Sequence, residues 1–151
     1  MRMILITTAL TALMTIPAAA SPKTDVMASV HQWITAFNKG DTTSFIADCA
    51  DDAAIVDEFA PYEWHGAGAC SHWMNDYAAY QQKNGTSDGK VRLGVPHHVI
   101  ITGDRAYVIV PASFFFKQKG KMVSETGSML TLVLHNGASG WRIVASTWSQ
   151  H

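Results

Sequence analysis

Ala53-Ala54-Ile55-Val56-Asp57-Glu58-Phe59 is an apolar run that ends on a carboxylate. The four apolar residues predict a buried strand with Asp57 at its end. A carboxylate there leaves water unless the fold gives it partners or raises its pKa. Between Asp57 and Gly66 lies an aromatic loop with Tyr62, Trp64 and His65, and Gly66 opens a helix-like stretch from Ala67 to Gln82. Strand, acid, aromatic loop, glycine and helix together point to a carboxylate at the mouth of a small-molecule pocket. The competing reading is a half-exposed strand-end Asp, solvated or capping a turn.

Toward the N-terminus, Val26, Val30, Trp33, Ile34 and Phe37 recur on one helical face. Ser21 or Thr24 can cap this helix, and Gly40 ends it. Asp41-Thr42-Thr43-Ser44 then caps a short second helix that buries Phe45, Ile46 and Cys49. After the first strand, Cys70, Trp73, Met74, Tyr77 and Tyr80 repeat the helical spacing. Lys83 to Lys90 is polar and carries Asn84-Gly85 and Asp88-Gly89, which predict a loop.

From Val91 onward the pattern becomes that of strands. Val91-Arg92-Leu93 and His97 to Thr102 read as one interrupted strand, bent near Gly94 and Pro96. Gly103-Asp104 makes a hairpin into Arg105 to Lys117. Pro111 inside that strand requires an edge position or a bulge. Lys119-Gly120-Lys121 turns into Met122 to Leu134, and Asn136 to Gly140 turns into Trp141 to Trp148. Helices segregated from a long sheet define an α+β domain. A strongly bent mixed or antiparallel sheet wrapped around three N-terminal helices would enclose a cone-shaped cavity.

Residues 1–20 read as a signal peptide. Arg2 is followed by a short apolar run, Pro17, and an Ala18-Ala19-Ala20 cleavage site. The expected product is a single domain over 21–151, secreted or periplasmic. The formal net charge of −1 and the lack of a basic run argue against nucleic acid as a partner. No stretch after the signal is apolar enough for a membrane span. Seven histidines are present, but none falls in a metal-ligand motif. No phosphate or dinucleotide motif is present either, so neither metal nor cofactor is expected. Cys49 and Cys70 are the only cysteines. In an exported chain they could be bridged, or they could pack as two separate buried thiols.

Four segments carry a family resemblance. Phe37-Asn38-Lys39-Gly40-Asp41, Cys49-Ala50-Asp51-Asp52-Ala53-Ala54-Ile55-Val56-Asp57, Gly103-Asp104-Arg105-Ala106 and Gly140-Trp141-Arg142-Ile143 through Trp148-Ser149 stand in one order. That order resembles the nuclear transport factor 2-like superfamily, in particular its SnoaL-like and ketosteroid-isomerase-like members. The resemblance places Asp57 where steroid isomerases keep their general base. Where those enzymes hold an oxyanion-binding tyrosine in the first helix, this chain has Trp33. Where they hold a second acid, it reads Ser128-Met129-Leu130-Thr131-Leu132. SnoaL-like dehydratases and cyclases keep a His near the interrupted strand, and His98, followed by Val99-Ile100-Ile101, fits that order better than His97.

Two functions follow as expectations. One is a cofactor-independent lyase or isomerase on a small apolar or aromatic molecule, with Asp57 as general base and His98 assisting. Tyr62, Trp64, Trp33, Trp73, Tyr77, Phe114 and Trp148 would hold the ligand. The other is a non-catalytic module that binds a small ligand or a partner through the same pocket. A homodimer through the sheet is compatible with both.

Overall fold

The computed structural model describes residues 21–150, so the signal peptide expected over 1–20 lies outside the described residues. Helix α1 spans Pro22–Lys39. Ser21 caps it by accepting the Thr24 N–H, and Gly40 ends it at φ +70°. Its buried face is Val26, Val30, Trp33 and Ile34, as the periodicity requires. Helix α2, Thr42–Ala47, is capped by Asp41, whose carboxylate accepts the Ser44 N–H at 3.0 Å. Helix α3, Ala69–Asn84, buries Cys70 and Trp73 and ends on Gly85 in the left-handed region.

Seven strands follow or interleave these helices: β1 Cys49–Val56, β2 Glu63–His65, β3 Thr86–Leu93, β4 His98–Thr102, β5 Arg105–Gln118, β6 Lys121–Gly137 and β7 Gly140–Ser149. Their order is β2-β1-β7-β6-β5-β3, with β4 also paired to β5. The β1–β7 pair is parallel and the other pairs are antiparallel, so the sheet is mixed. Strands β5 and β6 present Ala106, Val108, Val110, Leu130, Leu132 and Leu134 to the helices, all buried. Each Val or Leu buried this way stabilises the fold by roughly 1.5–3 kcal/mol. The curved, unclosed sheet and three helices make the α+β cone that the sequence pattern predicts.

Two segments differ from the sequence reading. The aromatic loop contains a short strand, β2, paired to β1 through Ile55 and Trp64. The expected polar loop over Lys83–Lys90 is mostly the end of α3 and the start of β3. Its turn residues make a bulge inside a strand instead. Asp88 sits at φ +58°, and the β3–β5 register shifts between Ser87 and Lys90. Asp88 is tied to Lys117 on β5 at 2.9 Å. Gly89 is needed there because a Cβ would lie 3.0 Å from two Phe114 ring carbons and overlap the Tyr77 hydroxyl.

Pro111 falls opposite the break between β3 and β4. Its carbonyl accepts the Gly94 N–H at 2.8 Å, so the proline meets the linker between the two strands rather than a continuous ladder. A second bulge lies in β6. Thr126 and Gly127 together oppose Ser113, with Gly127 at φ +87°.

Helix α1 is pinned to the edge strand β3 at Asn38, whose backbone carbonyl also accepts from Lys90 Nζ. Asn38 Nδ2 donates to the Val91 carbonyl at 2.8 Å, and Asn38 Oδ1 accepts the Val91 N–H at 2.7 Å. The Asn side chain thus copies the hydrogen bonding of a neighbouring strand. Cys49 and Cys70 are joined, with their Cα atoms 6.6 Å apart, and link the start of β1 to the start of α3.

Candidate functional site

A cavity of about 270 Å³ opens between the helices and the concave face of the sheet. Trp33, Phe45, Trp73 and Tyr77 form its helical wall, and Phe114, Phe116 and Trp148 face them from the sheet. The helical aromatics stack in series. Trp33 lies 4.7 Å from Phe45, Phe45 lies 5.4 Å from Trp73, and Trp73 lies 5.3 Å from Tyr77 with the rings parallel within 1°. Offset stacking of this kind fixes ring positions as well as burying area.

Asp57 lies in the cavity wall one residue beyond β1. The turn into β2 sets its position. Its N–H donates to the Tyr62 carbonyl at 3.0 Å, and the Tyr62 N–H donates to the Phe59 carbonyl at 2.8 Å. The carboxylate has two protein donors. The Trp73 indole N–H reaches Oδ2 at 3.0 Å, and the Glu58 backbone N–H reaches Oδ1 at 2.7 Å. Burial among the aromatic rings pushes the Asp57 pKa up, and those two hydrogen bonds only partly oppose it.

Two further carboxyls stand at the opening. Glu58 and Glu125 both line the cavity, and Gln150 bridges them. The Gln150 amide donates to Glu58 Oε1 at 3.1 Å and to Glu125 Oε2 at 2.7 Å. Burial of its carboxyl, then repulsion from Glu125 and Asp57, pushes Glu58 up to about 7. Burial also raises Glu125, against the Gln150 hydrogen bond.

A carboxyl raised on folding makes the native state hold the extra proton, so its contribution to stability is largest at low pH. That contribution falls as pH rises from the unfolded value of 4.5 through about 7. Glu58→Gln should therefore flatten the decline in melting temperature between those values and stabilise the protein above them. Thermal melts of both proteins across that window test this. An unchanged slope would show that Glu58 is solvated like any surface acid.

Of the residues the sequence proposes, Asp57, Trp33, Trp73, Tyr77, Phe114 and Trp148 meet in this cavity. Three do not. Tyr62 is 60% exposed in the β1–β2 turn, at φ +77°. Trp64 is buried behind the wall, where it packs on Phe59 at 5.0 Å and donates to Asp76 at 2.8 Å. His98 is a correction to the expected mechanism. In β4, Val99 and Ile101 pack against the core, so His98 and Ile100 point outward, and His97 is exposed as well. No imidazole lines the cavity among the described residues.

The sequence reading passed over Glu58, Glu125 and the Tyr77 hydroxyl. The Tyr77 oxygen accepts from Gln81 Nε2 at 3.1 Å, and burial pushes its pKa up, so the phenol stays protonated.

A curved sheet over three helices with an aromatic cavity defines the nuclear transport factor 2-like class. A family model described as the SnoaL-like domain matches residues 26–151, and the chain belongs to that family. Solved structures with the same fold include a ketosteroid isomerase-like protein from Erwinia carotovora atroseptica SCRI1043. It is 19% identical, with a TM-score of 0.65 over 83% of this chain and 93% of that one. A candidate dehydratase of the NTF2-like family from Streptomyces avermitilis is 18% identical, with a TM-score of 0.68 over 84% of this chain and 94% of that one. A candidate aromatic ring hydroxylase from Novosphingobium aromaticivorans is 14% identical, with a TM-score of 0.71 over 85% and 87%. The comparison with curated proteins finds no match.

Proposed function

We propose that this SnoaL-like protein is a cofactor-independent lyase or isomerase acting on a small apolar or aromatic molecule. One observation carries the reading. The Asp57 carboxylate is built into the wall of an aromatic cavity, oriented by Trp73 and the Glu58 N–H, and made more basic by burial. Each of its oxygens accepts one protein hydrogen bond and keeps a lone pair for a substrate proton.

In this mechanism Asp57 removes a proton from a substrate carbon beside an electron-withdrawing group. The carbon–hydrogen electron pair moves into that group. In a lyase the pair then expels a leaving group. In an isomerase Asp57 returns the proton to another carbon. The Tyr77 O–H, kept protonated, is the donor suited to the negative charge that develops. It takes the part that neither Trp33 nor His98 supplies. The first test is exchange in heavy water. Aromatic ketones and β-hydroxy carbonyl compounds are incubated with the protein, and deuterium uptake or water loss is followed by mass spectrometry.

The exposure of His98 favours a second reading, a module that binds the same class of molecule without turning it over. Binding without exchange or elimination across that panel would select it.

We also propose that the protein is exported and cleaved after Ala20. The motif at Ala18-Ala19-Ala20 supports this. N-terminal sequencing of the secreted protein should return Ser21, and a Met1 start would refute the cleavage. A homodimer formed through the outer sheet face fits the half-exposed apolar residues there, of which Tyr107 is 40% exposed.

A further inference from the structure

The charge of the cavity narrows what it can hold. Asp57, Glu58 and Glu125 line it, and among the described residues no Lys, Arg or His does. Among the described residues the bridge between two of these acids is the neutral amide of Gln150. A neutral ligand seated at the opening would strip water from the carboxyls and give no charge in return. An anion would add repulsion. A cation offsets that desolvation and also meets the electron-rich faces of the surrounding rings. A metal ion is a poor candidate, because no three His, Cys, Asp or Glu among the described residues converge closely enough to hold one.

We infer that the cavity takes an organic cation: an aromatic-sized body bearing a protonated amine held at Glu58 and Glu125. The body lies between Trp73 and Tyr77 on one side and Phe114 and Trp148 on the other. This inference rests on the cavity being a ligand site, as proposed above, and specifies the ligand's charge. It also predicts proton traffic. Glu58 faces Asp57, Glu125 and the Gln150 amide, and is raised to about 7. A cation beside it favours the ionised form, so binding near neutral pH should release a fraction of a proton.

Isothermal titration with two matched series tests this. One is tryptamine, tryptophol and indolepropionate. The other is phenethylamine, phenethyl alcohol and phenylpropionate. The amine should bind about tenfold tighter than its alcohol in at least one series, and the acid weakest. Titrations in buffers of different ionisation enthalpy should show proton release for the amine alone. In Glu125→Gln and Glu58→Gln proteins the amine-to-alcohol ratio should shrink toward one. An alcohol that binds as tightly as its amine would overturn the cation assignment while leaving the ligand site standing. A preference that survives both substitutions would overturn the placement at Glu58 and Glu125. Failure of all six molecules to bind would overturn the ligand-site reading together with the inference.

Discussion

Asp57→Asn should lower turnover by ~10²–10⁴-fold, the usual worth of a positioned acid–base group. The change is nearly isosteric. The Asn carbonyl can accept from either Trp73 or the Glu58 N–H, but its NH₂ group then faces the other donor. One hydrogen bond is lost, while burial of a charged carboxylate is relieved. These effects oppose each other, so stability should change by no more than about 1 kcal/mol. Asp57 is also one of the charges that raise Glu58, so Glu58 should titrate lower in the variant. The measurements are deuterium exchange or elimination rate, thermal melting, and the Glu58 titration followed by carbon NMR. A folded Asp57→Asn protein with full activity and unchanged ligand affinity would reduce Asp57 to a strand-end acid.

Removing the Cys49–Cys70 bridge should give the largest loss of stability. It closes a loop with a sequence separation of 21, for which chain entropy gives ~3 kcal/mol. In a domain of this size that is a fall in melting temperature of about 10 °C. The double Cys49→Ala, Cys70→Ala variant and the reduced wild type should agree, and the native protein should show no free thiol. Both cysteines are buried, so reduction needs prior opening or denaturant. The site should suffer as well. The bridge holds the start of α3 against β1, and α3 carries Trp73, the donor to Asp57. Equal melting temperatures for oxidised and reduced protein would remove this role.

What could be read from the chain depended on whether side-chain direction followed a simple period. Val26, Val30, Trp33 and Ile34 obey the helical period, and α1 was legible with its caps. Ala106, Val108 and Val110 obey the strand period, and β5 was legible too. The misses fall where backbone irregularity breaks the period. Leu130 and Ser128 point inward, so strict alternation turns residue 125 outward. The extra residue at Gly127 reverses that phase and brings Glu125 into the cavity. Nothing in local composition separates this bulge from an ordinary Gly in a strand. Asp88-Gly89 has the composition of a turn, and its pairing with β5 depends on Lys117, distant in sequence. Only its place in a resemblance singles out His98. The inward packing of Val99 and Ile101 turns it to solvent, and that parity was undetermined among Val99, Ile100 and Ile101.

Asn38 bears on how this molecule behaves in a crowd. An open sheet has two rims, and each rim is a template onto which another chain can add a strand. One rim here is β2, only three residues long and too short to recruit a partner well. The other is shared by β3, eight residues long, and β4, five residues long, both paired to β5, and without protection the longer of the two would invite fibrous stacking. Asn38 fills the exposed backbone positions of Val91 in the second half of β3, and the Asp88–Gly89 kink spoils the stretch before it. The side chain that seats the first helix therefore also guards the longer strand of this rim against pairing with another copy of the protein.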